Sequence, residues 1–314
     1  MLSRVAAHLY WMSRYLERAE NMARILDVGQ SLALVAGPAD ARELAAEPLV
    51  ITDTLTAFQA SERALNPEQV ARFLAWDKTH PSSIVNCLDA TRENARAVRG
   101  AITSEMWENI NDTWLQLHQR RTSHAEPADA AYFEWVKERS HMFRGITQAT
   151  LRHDQSYLFI RLGTYLERAD NTARILSVKQ GAGEGAEVTP DDLMSYYQLS
   201  AVLRSVSAFE AYRDTYRDTI DARRVVELLV FDARLPRSLR FCLDQVERVL
   251  QALPEQAGRP ARRQAAVLRA QLAFGELEDA FESGLSDFLE RFLADNADLC
   301  NAVHDAYLEL NLQA

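Results

Sequence analysis

The sequence predicts an all-α protein built as a tandem duplication, an approximately six-helix unit written twice and packed as one pseudo-two-fold helical body. Three observations carry this. Ala, Leu, Arg and Glu dominate a chain of 314 residues with only 11 Gly and 9 Pro, a composition that favours helix. No sustained period-two run of β-branched residues is present, so strand signals are missing. Finally, YLERAENMARILDV at Tyr15–Val28 returns as YLERADNTARILSV at Tyr165–Val178, with 11 of 14 positions identical and no gap. A second ordered match follows: Asp77, Pro81, Ser83, Cys87, Leu88 and Asp89 recur as Asp232, Pro236, Ser238, Cys242, Leu243 and Asp244. The copies therefore divide as 1–150 and 151–314.

Taken in order, 2–35 reads as one long helix, because Leu9, Met12, Leu16, Ala19, Ala23 and Leu26 fall at steps of three and four. Phe159, Leu162, Leu166, Ala169, Ala173 and Leu176 repeat that stripe in the helix expected at 152–180. In the first copy, further helices are expected at 49–65, from Asn66-Pro67 to Trp76, from Pro81 to Arg99, at 103–121 with Trp107, Trp114 and Leu117 as core, and at 130–147. The second copy predicts helices at 191–214, 219–231 and 237–252, then two or three within 261–311. Thr122–Asp129, Gly181–Pro190 and Pro254–Pro260 read as loops.

Charge and cysteine usage narrow the function classes. Thirty-five basic against 45 acidic side chains leave a formal charge of −10, which argues against a nucleic-acid binder. Three cysteines, two at repeat-equivalent helical positions, do not form a disulfide framework and suit a reducing cytoplasm. No apolar run is long enough for a membrane span. Arg4, Arg14, Glu17 and Arg18 lie inside the first helix, which does not read as a signal peptide. A cytoplasmic protein is expected.

The repeated helix carries a polar face opposite its apolar stripe. Glu17, Arg18, Asn21 and Arg24 are kept as Glu167, Arg168, Asn171 and Arg174, while Ser13, Arg14 and Asp27 become Gly163, Thr164 and Ser177. A solvated face with a Glu20–Arg24 pair four residues apart is the plain reading. Retention of identity points further, to a buried ion-pair and amide network between the copies, or to a ligand site using Arg forks and Glu/Asn acceptors. In the second segment, Asp77 and Asp232 stand where a carboxylate could reach a helix N-terminus. Arg234, Arg237 and Arg240, beside Ser238, replace Thr79, Ser82 and Val85 and form a candidate anion site.

Metal and cofactor signatures are lacking. Glu138 and His141 make one Glu-x-x-His spacing without the second that a di-iron bundle requires, and no metalloprotease histidine pair occurs. No Gly-rich phosphate loop or nucleophile elbow appears, so no metal and no cofactor are expected.

The opening MLSRVAAHLYWMSRYLERAENMARILDV, the segment LGTYLERADNTARIL and the segment LPRSLRFCL together resemble the alpha-E family, a bacterial all-helical family named for a recurring Glu-Arg motif. The resemblance covers essentially the whole chain. His80-Pro81-Ser82-Ser83 departs from the family's Asn-Pro-Arg-Ser form, which Leu235-Pro236-Arg237-Ser238 follows more closely. It implies a companion of amide-bond-forming ATP-grasp-type ligases, often alongside a transglutaminase-like peptidase, and hence a role in making or modifying peptides. Three readings follow: an accessory partner that holds a peptide or amino-acid substrate, an enzyme using the duplicated Glu/Arg/Asn cluster, and a purely structural adaptor.

Overall fold

The computed structural model describes residues 1–35, 38–122, 128–181, 193–282 and 284–309. Among these the regular structure is helical throughout, with no strand. The first stretch contains α1 (Ser3–Val35), α2 (Pro38–Ile51), α3 (Leu55–Ala60), α4 (Pro67–Trp76), α5 (Ile84–Ala97), α6 (Ser104–Thr122) and α7 (Ala130–Thr150). The second contains α8 (Gln155–Gly181), α9 (Leu193–Ser205), α10 (Phe209–Tyr216), α11 (Ala222–Phe231), α12 (Leu239–Ala252), α13 (Glu255–Phe274), α14 (Leu277–Glu282) and α15 (Leu285–Val303), and closes on a π-helical turn at His304–Leu308.

Helix starts follow local chemistry. Asn66 caps α4 by accepting from the Gln69 amide, with Pro67 in the first turn, and Asp129, Asp221 and Ser238 cap α7, α11 and α12 in the same way. The helix expected at 49–65 is two helices. Asp53 is left-handed (φ 55°), the Asp53 amide donates to Val50 O, and the Thr54 amide to Leu49 O. That is the Schellman pattern. Ser207 (φ 53°) divides 191–214 identically, through Ser207 to Arg204 O and Ala208 to Leu203 O. Neither break uses glycine, so neither announces itself in the sequence.

Three further expectations are corrected. Pro81 and Pro236 lie in the turn before α5 and α12 rather than inside them, which makes Ser83 and Ser238 the N-cap residues. Asp77 and Asp232 end α4 and α11, and each carboxylate accepts from the turn amides that follow, Thr79 in one case, Arg234 and Leu235 in the other. The expected loop Pro254–Pro260 is the start of α13, with Pro260 inside the helix. Gly258 makes room there for Tyr307, whose hydroxyl donates to Pro254 O at 3.2 Å. The expected loops Thr122–Asp129 and Gly181–Pro190 fall mainly outside the described residues.

Both predicted apolar stripes are buried, with every one of their twelve residues at 5% exposure or less. They belong to a single continuous hydrophobic core drawing on both halves of the chain. Helix α1 packs on α8, α5 and α7, and α8 packs on α1, α12 and α15, so these two helices are central. Leu117 is fully buried, whereas Trp107 and Trp114 are half-buried and flank Arg92. The two central helices run in the same direction, Met1 meeting Gln155 and Arg18 meeting Glu167. They pack tightly at Gly163, where a Cβ would overlap Ser13 Oγ and the Tyr10 carbonyl. The exchange of Ser13 for Gly163 thus has a steric cause. Gly163→Ala is expected to lower stability by roughly 1–3 kcal/mol in urea denaturation. Gly145→Ala in α7, where a Cβ meets nothing within 4 Å, is expected to raise it by up to about 1 kcal/mol.

Candidate functional site

Just beyond the Ser13–Gly163 crossing, the polar faces of α1 and α8 meet inside the protein. Each helix offers its Glu to the other's Arg. Arg168 forks onto Glu17, Nε to Oε1 at 2.9 Å and Nη2 to Oε2 at 3.0 Å. Arg18 forks onto Glu167, Nε to Oε1 at 2.6 Å and Nη2 to Oε2 at 3.0 Å. Bidentate geometry of this kind makes strong charge-assisted bonds. Additional arginines close both carboxylates. Arg14 Nε donates to Glu167 Oε2 at 2.8 Å. On Glu17, Arg144 from α7 takes Oε2 at 3.0 Å and Arg237, just before α12, takes Oε1 at 3.0 Å.

Glu20 extends the network. It is fully buried and accepts from Arg24 (2.8 Å), Arg144 (2.5 Å) and Arg237 (2.6 Å), with His141 Nε2 3.5 Å away. The Glu20–Arg24 pair is therefore present, but not on a solvated face. Its counterpart Asp170–Arg174 (2.7 Å) is more open, the Arg174 side chain being 40% exposed. Burial pushes the Glu167 carboxyl up, but Arg18 and Arg14 outweigh it and hold the group at about 2. Glu17 and Glu20 are likewise held below the ordinary range by their arginines. Burial brings Arg237 down to about 10, which leaves it charged at neutral pH.

On the α5 side, between α1 and α8, a cleft of about 440 Å³ opens. Arg18, Asn21, Glu167, Asp170, Asn171 and Arg174 line it from the two helices, and His80, Ser82 and Asp53 from the neighbouring turns. Asn21 and Asn171 are buried, and each leaves Nδ2 without a hydrogen-bond partner. Buried His80 does the same with Nε2. Its imidazole stacks on Phe73 at 5.0 Å, and burial pushes its pKa down, so it is neutral. Larger hollows of 620, 580 and 640 Å³ lie elsewhere. Among the described residues each of these has at most one such orphaned atom. Three in one place single out the α1–α8 cleft, because buried polar groups ordinarily find partners.

The arginines of the second segment do not converge. Arg234 is exposed and meets Asp232 at 3.4 Å. Arg237 turns inward to Glu17, Glu20 and Asn21 Oδ1 (2.8 Å). Arg240 turns to Asp244 and the Leu272 carbonyl. Ser238 is spent on capping α12. A shared anion site is not formed by this set. Sequence reasoning missed Arg144 and the reach of His141 to the network, since both sit on α7 and have no counterpart in the repeated segments. Among the described residues no group of side chains suited to a metal ion occurs. Cys87 and Cys242 are free and fully buried, and burial pushes both thiols up to about 12.

Three outcomes follow. Glu17→Ala leaves the buried Arg168 without its carboxylate and takes one of two carboxylate partners from Arg144 and Arg237, and is expected to cost on the order of 3–5 kcal/mol in denaturant titration. Glu167 has its folded pKa depressed to about 2 from 4.5. Its stabilisation, on the order of 3 kcal/mol, is therefore present above pH 4.5 and lost as pH falls toward 2. An acid titration of Glu167→Gln against the parent should show that loss missing from the variant. Cys87 and Cys242 should resist thiol reagents in the native protein at neutral pH, and become reactive only on unfolding.

No solved structure matches the chain. Uncharacterized proteins of Mycobacterium bovis and of Mycobacterium tuberculosis strain CDC 1551 are each 28% identical over 291 residues, and one of strain H37Rv is 27% identical. These matches cover 82% of this chain and 31% of each relative, so the chain spans about a third of the length of the curated relatives it matches. The family model Alpha-E, described as a predicted alpha-helical domain with a conserved ER motif, matches residues 1–308. The chain belongs to the Alpha-E family.

Proposed function

We propose that this chain is a non-catalytic helical module that holds an amino-acid or peptide substrate for an ATP-grasp-type amide ligase, in the cleft between α1 and α8. The observation that carries the reading is the cleft itself, where three buried hydrogen-bonding nitrogens stand without partners beside a polar wall. A volume of about 440 Å³ suits an amino acid or a short peptide segment. The partner belongs to what the family resemblance implies, with a transglutaminase-like peptidase as a second companion. In the mycobacterial relatives the matching stretch is 31% of the chain, which leaves room for such companions to be fused.

Proton chemistry argues against the network carboxylate and the buried thiols as acid–base groups. A general acid or base works best with a pKa near the operating pH. Glu167 at about 2 and the Cys87 and Cys242 thiols at about 12 are far from it. The duplication enters the same reading: units 1–150 and 151–314 supply one central helix each and pack about a pseudo-two-fold axis that runs along α1 and α8. The matching order of α1, α4 and α5 with α8, α11 and α12, and the exchanged Glu–Arg forks, support it. No helix among the described residues is long and apolar enough to cross a membrane.

The test is a thermal-shift panel of amino acids, short peptides and nucleotides, paired with an amide-formation assay with and without the ligase. Members of the amino-acid and peptide set should raise the melting temperature, since a ligand that binds only the folded state stabilises it. Nucleotides should not, and amide formation should require the ligase. Amide formation or hydrolysis by the chain alone would overturn the non-catalytic reading.

A further inference from the structure

The two sides of the α1–α8 layer present matching acceptors in different states. On the α12 side Glu17, Glu20 and Asn21 surround a buried guanidinium, that of Arg237. Its Nη1 reaches Glu17 Oε1 at 3.0 Å and Asn21 Oδ1 at 2.8 Å, and its Nη2 reaches Glu20 Oε1 at 2.6 Å. The repeat places Glu167, Asp170 and Asn171 at the equivalent positions on the α5 side. There Ser82 stands where Arg237 does, in His80-Pro81-Ser82-Ser83 against Leu235-Pro236-Arg237-Ser238. An arginine of the central pair reaches each turn, though at different atoms. Arg168 Nη1 donates to Pro236 O at 3.3 Å, and Arg18 Nη1 to Ser82 Oγ at 3.3 Å. With serine in place of arginine, the space on this side is the open cleft.

The charge differs accordingly. On the α12 side Arg168, Arg237, Arg24 and Arg144 face Glu17 and Glu20. On the α5 side Arg14, Arg18 and Arg174 face Glu167 and Asp170, and the carboxylate of Asp53 stands on the rim. The filled side thus has four guanidiniums to two carboxylates, and the open side three to three. Arg18 and Arg174 are occupied by Glu167 and Asp170, while Asp170 keeps one oxygen clear of Arg174, which bonds Oδ2.

We infer that the cleft takes a guanidinium group, carried by an arginine or an arginine-containing peptide, which settles against Glu167, Asp170 and Asn171 as Arg237 settles against Glu17, Glu20 and Asn21. The Nδ2 groups of Asn21 and Asn171 and the Nε2 of His80, all buried in the cleft wall without partners, then serve a carbonyl or carboxylate oxygen of the same ligand. This rests on the substrate-holding reading above and names the substrate class for that site.

Calorimetric titration with L-arginine, N-acetylarginine amide, L-citrulline, L-lysine and L-glutamate tests it. L-Citrulline keeps the shape of arginine without its charge, and N-acetylarginine amide separates a peptide-borne guanidinium from a free amino acid. One-to-one binding of arginine or its amide is expected, with citrulline weaker by at least about tenfold and glutamate silent. Asp170→Asn should weaken arginine by roughly tenfold. Ser82→Arg should supply the missing guanidinium from within, raise the melting temperature and abolish arginine binding. If Ser82→Arg fails to fold, the citrulline comparison and Asp170→Asn decide the matter. Citrulline, lysine or glutamate binding as tightly as arginine, with Ser82→Arg blocking it, would overturn the guanidinium assignment and leave the substrate-holding reading standing. Arginine binding that neither variant alters, or no binding by any amino acid or peptide, would overturn both.

Discussion

The structure depends on the exchange of arginine forks between α1 and α8. Glu17 and Glu167 are almost completely buried, and an unpaired carboxylate in such a place is not tolerable at neutral pH. Each is compensated by an arginine from the opposite helix, so neither helix can bury its polar face without the other. The interaction is a condition on assembly more than a source of stability, because the desolvation of buried ions offsets much of their attraction. It fixes which faces meet and in which register, and the apolar stripes of both helices then pack in the surrounding core.

The close approach at Gly163 belongs to the same constraint. Arginine forks span a short distance, and they reach only if the backbones draw near on one side of the pair. The missing Cβ at Gly163 permits that approach one turn before the two Glu-Arg dipeptides. Arg144 adds a third helix by bridging Glu17 and Glu20 from α7. The network thereby ties the segment preceding α8 to the start of the chain.

Much of this was legible in the sequence, and the rest was hidden for identifiable reasons. Helix class and the two buried stripes could be read because a period near 3.6 survives in Leu9–Leu26 and again in Phe159–Leu176. The breaks at Asp53 and Ser207 could not, since left-handed caps usually advertise themselves with glycine and these do not. Pro260 misled for the opposite reason, a helix-breaking residue accommodated inside α13. At the candidate site, identity kept between copies pointed to Glu17, Arg18 and their partners. Arg237 was singled out as an added charge, but its direction, inward to Glu20 and away from Arg234 and Arg240, is a matter of packing that composition does not encode. Arg144 gave no signal at all, being outside both repeated segments.

The distribution of charge has a consequence for encounters in solution. Arg14, Arg18, Arg24, Arg144, Arg168, Arg174 and Arg237, set against Glu17, Glu20, Glu167 and Asp170, leave the central network three charges positive. The whole chain stands at −10, so everything outside the network carries −13. The molecule is an acidic shell around a basic heart. Its long-range field attracts cations and turns anions away well before contact, and that attraction fades as ionic strength shortens its range. The pairs buried on both sides, Arg168 with Glu17 and Arg237 with Glu20, keep their strength under the same salt.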